Sequence, residues 1–241
     1  METRRRVSVF LPAYNEVDNL ERSVGDIVWA ADQVLTEYEV LIIDDGSIDG
    51  TAALADRLAG ENPRIRAIHQ PRNLGIAAAY ERALGEARLD YFSFLPADGE
   101  IARESVRDIL GSVGQADIVA PYHQNPSARQ PHRRFLTWAS TALVNVLFGQ
   151  RMHYYQGPCI YSVALARALP KSAGGFYFVT QMLIHALHAG YTYVEVGLTH
   201  VDRTHGRSKA VSAGNILKAL RTIAQAWWAI HLGGASVARR A

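Results

Sequence analysis

Val7–Glu16 reads VSVFLPAYNE and Glu39–Thr51 reads EVLIIDDGSIDGT. Each is a short run of β-branched and aromatic residues that stops on Pro, Asn, Asp, Gly or Ser, so Val7–Leu11 and Glu39–Ile43 are predicted strands. Between them, Asn19–Leu35 places Leu20, Val24, Ile27, Val28, Ala31 and Leu35 on one face of a predicted helix. The alternation continues: helix Gly50–Leu58, strand Arg64–His69, helix Leu74–Ala87, strand Tyr91–Leu95, helix Ala102–Val113, strand Asp117–Ala120. Strands joined this way lie parallel with right-handed crossovers, which brings every strand-to-helix loop to one edge of a sheet, where ligands bind. The expected class is α/β, a Rossmann-like, mostly parallel sheet flanked by helices.

After Pro121 the pattern changes. A polar, basic stretch, His123–Arg134, leads into an apolar helix, and a helix at Phe178–Ala189 and a strand at Tyr193–Val196 elaborate the same sheet. Residues 1–212 are read as one domain and 213–241 as a C-terminal amphipathic helix with a basic tail. In that helix, Ile216–Leu232, the residues Ile216, Leu220, Ile223, Trp227 and Trp228 oppose Lys218, Arg221 and Gln225. Such a helix either packs its stripe on the domain or lies at a membrane surface.

At 241 residues and 49% hydrophobic content the chain can bury a sizeable core, which excludes disorder. Lys and Arg number 25 against 23 Asp and Glu, a formal +2 that gives no reason to expect nucleic acid. The lone Cys159 excludes an intramolecular disulfide and a cysteine metal cluster. Met1–Arg6 is basic, but Val7–Leu11 is too short for a signal-peptide core, so no export is expected. Phe135–Phe148, broken by Thr137, Ser140, Thr141 and Asn145, is too short to span a bilayer. The expected location is cytoplasmic, peripheral to the cytoplasmic membrane face.

The strand-end loops carry the chemistry. The first, Leu11–Glu16, lacks the GxGxxG dinucleotide fingerprint. Tyr14 there either stacks on a planar base, with Glu16 accepting from base or ribose, or belongs to a plain turn whose carboxylate favours the following helix N-terminus. In the second, Asp44 and Asp45 need donors, while Asp49 and Thr51 fit an N-cap. The fourth, Leu95-Pro96-Ala97-Asp98-Gly99-Glu100, offers carboxylates at i and i+2, either a capped helix start or oxygen ligands for a divalent cation bridging a diphosphate. Arg129, Arg133 and Arg134 form one basic cluster; Arg203, Arg207 and Lys209 form another. Acids for sugar, base and metal with separate cations for phosphate describe a nucleotide-diphosphate enzyme.

LPAYNE, IIDDGSIDGT, NLGIAAAY, the acidic turn and EVGLTHVDRTHGRSK, in this order over roughly residues 7–210, resemble the family 2 glycosyltransferases of GT-A fold. Within them the chain looks most like the dolichyl-phosphate mannose synthase branch. The resemblance implies that Pro12, Tyr14, Glu16, Ile43, Asp45 and Ala97 line the donor nucleotide site. It implies that Asp98, with Glu100, holds Mg or Mn, that Arg203 and Lys209 grip phosphates beside the reacting centre, and that Arg129, Arg133, Arg134 and Ser140 meet an acceptor phosphate. The implied donor is a nucleotide sugar, GDP-mannose first and a UDP-sugar second; the implied acceptor is a polyprenyl phosphate at the membrane surface. Three positions depart from the family: Pro96 stands where it has a first Asp, His123 where an arginine is common, and Tyr154–Cys159 replaces its Asp-x-x-Ser-Gly segment.

Hydroxyl-using members have a catalytic Asp before the helix matching Phe178–Ala189, and here no carboxylate lies between Pro158 and Val194. A phosphate acceptor is anionic and needs no base. The expected chemistry is one inverting displacement giving a β-linked sugar phosphate. Two other functions fit the motifs: transfer to a soluble hydroxyl or amine acceptor, and nucleotide-sugar binding without turnover.

Overall fold

The computed structural model describes residues 5–125, 131–171, 175–201 and 213–232, with the side chains of 131–133 and 213–218 outside the description. Seven strands form one sheet in the order β3-β2-β1-β4-β6-β5-β7. They are β1 Arg6–Ala13, β2 Glu37–Asp44, β3 Ile65–His69, β4 Tyr91–Phe94, β5 Ile118–His123, β6 Ile160–Ser162 and β7 Tyr193–Leu198. The helices are α1 Val17–Val34, α2 Thr51–Glu61, α3 Ile76–Glu86, α4 Arg103–Gly111, α5 Pro131–Phe148, α6 Val163–Ala168, α7 Phe178–His188 and α8 Ala213–His231.

The predicted strands and helices are all present, but β6 and α6 are absent from the sequence reading. Three strand residues, Ile160–Ser162, are too few to carry an alternation. β6 runs antiparallel between β4 and β5 and the other six strands are parallel, the mostly parallel sheet expected.

Central strands are buried on both faces and read as continuous apolar runs. Alternate residues of β1 feed two core layers: Val7, Val9 and Leu11 pack with α1, α2 and α4, while Phe10 packs with α3, α6 and α7. Phe10 lies among Tyr80, Phe92 and Phe94, with centroids 5.4–6.1 Å away.

This layering corrects one expectation. β1 to β2 and β2 to β3 step one way across the sheet with α1 and α2 on one face. β3 to β4 steps back with α3 on the other face, which is the same hand. β4 to β5 also steps back, yet α4 packs beside α1 on the first face. That crossover has the opposite hand, left where the others are right. The physical reason is space: β6 separates β4 from β5, and the far face is filled by α3, α6 and α7. Val106, Ile109 and Leu110 are therefore buried against α1.

The edge remote from the predicted site is held by a buried polar network. Glu39 accepts from Ser8 Oγ (2.7 Å), the Arg88 amide (2.8 Å) and Arg66 (3.2 Å). Replacing Glu39 by Ala leaves a buried hydroxyl and an amide without their acceptor, while Arg66 keeps only Glu86. The expected cost is about 3 kcal/mol, read as a lower urea midpoint at unchanged slope.

Candidate active site

The order of the strands reverses between β1 and β4, and ligands of open α/β sheets bind outside the strand C-termini at such a point. Register brings the predicted donor residues there: Pro12 pairs with Ile43, Ala13 pairs with Asp44, and the Asp45 amide donates to the Ala13 carbonyl (2.9 Å). Leu95 donates to the Phe10 carbonyl (2.9 Å), which sets the acidic turn beside the first loop.

The first two loops are stitched together. Asn15 adopts a left-handed conformation (φ 54°), which Asn tolerates better than most residues. Its amide donates to Ser47 Oγ (3.0 Å), and its side-chain oxygen accepts from the Ile48 amide (3.0 Å). Tyr14 is left 41% exposed at the crevice. Asp49 and Thr51 serve two helices: the Asp49 carboxylate accepts from the Thr51 amide at the start of α2 (3.0 Å), as expected, and both side chains also accept amides from the start of α1. The residue capping α2 is Gly50 (φ 96°), while the Glu16 amide donates to Thr51 Oγ1 (2.9 Å) and the Val17 amide to Asp49 (3.3 Å), at the start of α1. Burial pushes the Asp49 carboxyl up, but hydrogen bonds from Thr51 and Val17 outweigh that and hold it below the usual carboxylate range.

Asp44 and Asp45 find their donors within the protein. Asp44 accepts from the Ser47 amide (3.0 Å) and lies 3.1 Å from His69 Nδ1. Asp45 accepts from Gln70 Nε2 (2.9 Å) and from the amides of Leu74 (2.8 Å) and Gly75 (2.9 Å). Gly46 is required between them: at φ +73° an added Cβ would stand 2.6 Å from the Arg72 carbonyl carbon. Ile43 and Ala97 are buried, 0% and 3% exposed, so each offers the crevice backbone and no accessible side chain. The Ala97 carbonyl accepts from Ser23 Oγ on α1 (2.9 Å).

The acidic turn is braced from β7, which motif reading did not anticipate. The Val201 amide donates to the Glu100 carbonyl (2.9 Å), Ile101 bridges His200, and the His200 ring lies 3.7 Å from the Glu100 carboxylate. His200 also meets the His123 ring edge-on at 5.9 Å, and His123 meets Tyr154 at 4.9 Å. This row of rings joins the acidic turn to a groove of about 390 Å³ at the end of β5, lined by His123, Tyr154, His153 and Arg134, Thr137 and Trp138 of α5. The only sequence signal for His200 was its place just after a strand.

Of the expected acceptor residues, Arg134 lines this groove. Ser140 does not: its hydroxyl donates to the Thr137 carbonyl (3.0 Å), and it faces a small cavity shared with Thr222 and Ile223 of α8. The Arg133 side chain, Arg129, Arg203, Arg207 and Lys209 lie outside the described residues. Among the described residues no three metal-ligating side chains cluster. Asp98 and Glu100 nonetheless fit a hard divalent cation, since such ions bind through one or two carboxylates and complete their shell with substrate phosphates and water.

With this geometry the comparisons are specific. Residues 8–169 match the family model described as glycosyl transferase family 2. The chain belongs to that family. It is a glycosyltransferase. It is 31% identical over 243 residues to a polyprenol monophosphomannose synthase of Mycolicibacterium smegmatis, covering 94% of this chain and 88% of that one. An undecaprenyl-phosphate mannosyltransferase of Micrococcus luteus is 28% identical, covering 85% and 87%. The fold is that of glucosyl-3-phosphoglycerate synthase of Mycobacterium tuberculosis, solved with Mn²⁺, UDP and glucosyl-3-phosphoglycerate. The TM-score is 0.69 at 21% identity, over 91% of this chain and 80% of that one. The GT-A expectation holds.

His69 links three elements of the donor side, since its Nε2 lies 3.0 Å from Asp56 of α2 as Nδ1 does from Asp44. The bond to Asp56 raises its pKa against the opposing effect of burial, helped by the bond to Asp44. A raised folded-state value stabilises fully below the unfolded value of about 6.5 and is lost as pH climbs through the folded one. The part-exposed ring limits this to about 1 kcal/mol. The stability margin of the wild type over His69→Gln is therefore expected to be largest near about pH 6 and to shrink towards about pH 9. A margin constant across that range would refute the charged bridge.

Proposed function

We propose that this chain transfers a sugar from a nucleoside diphosphate to a polyprenyl phosphate with inversion at the anomeric carbon. The observation that carries the reading is the groove beside the acidic turn: among the described residues its lining holds Arg134 and aromatic rings and no carboxylate, and the neighbouring Glu195 carboxylate is taken up by the amide and ring of His153 (2.8 Å each). A hydroxyl nucleophile would need the positioned carboxylate base that hydroxyl-using family members carry, whereas a phosphate monoester arrives ionised and needs a cation to hold it. The position before α7, where a base would stand, is Tyr177, and α7 is buried along its length from Phe178 to Leu187. Mannose as the sugar follows the two relatives named for it. GDP as its carrier follows the resemblance of the motifs, with UDP as the other carrier to be screened.

Displacement leaves a diphosphate and passes through a cationic sugar, so the site must stabilise the leaving charge and align the attacking oxygen. A divalent cation held by Asp98, with Glu100, would neutralise the diphosphate. Tyr14 offers its exposed ring to the base, Glu16 borders it, and Asp45 holds the Leu74 and Gly75 amides so that the wall of the nucleoside site keeps its shape. Arg203 and Lys209, which follow Val201 in sequence, are proposed to bind the donor phosphates. Arg134 is proposed to hold the acceptor phosphate, assisted by Arg129 and Arg133, its neighbours in sequence; Ser140, which faces the cavity shared with α8, is not given that role. The Mg- or Mn-dependent enzyme works from the membrane face where its acceptor resides.

The test is a screen of nucleotide sugars, GDP-mannose first, against a short-chain polyprenyl phosphate with Mn²⁺, scoring lipid-extractable labelled sugar. Label that stays water-soluble on a hydroxyl acceptor, or nucleotide binding without any transfer, would overturn the reading. Asp98→Ala is expected to lower transfer about 100-fold or more, and Glu100→Ala less. Arg134→Ala is expected to raise the acceptor KM about tenfold, with the donor KM little changed.

A further inference from the structure

The formal charge of +2 conceals a division of the chain. Residues 1–117 hold 12 Lys and Arg against 21 Asp and Glu; residues 118–241 hold 13 against two, Glu195 and Asp202. Neither α5 nor α8 contains a carboxylate. These two helices share one core layer, where Val144 of α5 and Ile223 and Ala226 of α8 are buried together. Their opposite faces therefore both look away from the sheet.

Those outer faces are apolar, the reverse of a helix that meets water. On α5, Phe135, Trp138, Ala142 and Val146 recur at three, four and four residues, and Trp138 and Val146 are 66% and 81% exposed. On α8, Leu220, Ala224, Trp228 and Leu232 recur every four residues, with Trp228 64% exposed. The helix thus has two apolar stripes, one packed inward and one outward. Arg134, Arg151 and Arg221 are exposed at or beside these helices.

The geometry points to the paired outer faces of α5 and α8 as a docking surface for an anionic lipid bilayer. Tryptophan and aliphatic side chains with arginine and no acid match an interface of acyl chains under negative headgroups. A second protein chain with an apolar patch would not require every carboxylate to be absent. Trp138 belongs both to this surface and to the groove that Arg134 lines, so a phosphate at headgroup level would lie next to that groove. The inference deepens the lipid-acceptor reading and rests on it for its purpose, but its test does not use transfer.

The full chain is to be sedimented with vesicles of phosphatidylcholine alone and with roughly one-third phosphatidylglycerol, neither containing polyprenyl phosphate. Since each basic side chain at such a surface adds roughly fivefold to partitioning, the anionic vesicles are expected to bind at least about tenfold more protein, and raising salt from about 0.05 to 0.5 M to remove most of that gain. Val146→Glu and Trp228→Glu, checked for unchanged melting, are each expected to lower binding about tenfold, whereas Val146→Lys keeps it. No binding, equal binding to both vesicles, or a dimer in solution that Val146→Glu dissociates would overturn the proposal. Transfer by Trp228→Glu to a vesicle-free short-chain acceptor separates the two readings: vesicle binding without any transfer sinks the function alone, and transfer without vesicle binding sinks the docking surface alone.

Discussion

Two carboxylates buried at the end of β2 constrain everything around the donor side. An ionised acid taken out of water must be met by donors, or folding loses several kcal/mol. Asp44 and Asp45 meet this requirement by drawing in the turn at Ser47, the ring of His69 and the amides of Leu74 and Gly75. The loop after β3 is thereby folded against the loop after β2, and Gly46 is the residue that permits the approach. Asn15 then ties the first loop to the second. Asp44 and Asp45 are already satisfied within the protein, so a nucleotide would meet a wall whose shape these bonds define.

The second organising feature is electrical. Acidic residues are gathered in the half of the chain that builds the nucleotide side, and cations in the half that builds the groove and the two outer helices. For a reaction between two phosphate-bearing substrates this is a coherent division. A carboxylate turn suits a metal-bridged diphosphate, and a groove whose described lining carries Arg134 and no carboxylate suits a nucleophile that carries its own charge. The rings of His200 and His123 span the short distance between the two environments. No helix among the described residues is long and apolar enough to cross a membrane. The hydrophobic surface of this half lies along helix flanks, in Trp138, Val146 and Trp228.

Local chemistry determined much of this. Apolar runs ending in turn residues located the first five strands and the strand before His200, and the acids of the strand-end loops were legible because carboxylates beside buried strands are costly without a purpose. Covalent order also determined that no base stands before α7. Tertiary structure decided what depends on neighbours distant in sequence. It gave Asp49 and Thr51 a second role at the start of α1, turned Ser140 away from the groove, inserted β6 between β4 and β5, and reversed one crossover. It also gave α8 an outward stripe that periodicity merges with the inward one. The reason is common to all of these: a side chain's partners across the sheet or on another helix are fixed by packing space and unsatisfied polar groups, and neither quantity exists until the whole chain has closed around its core.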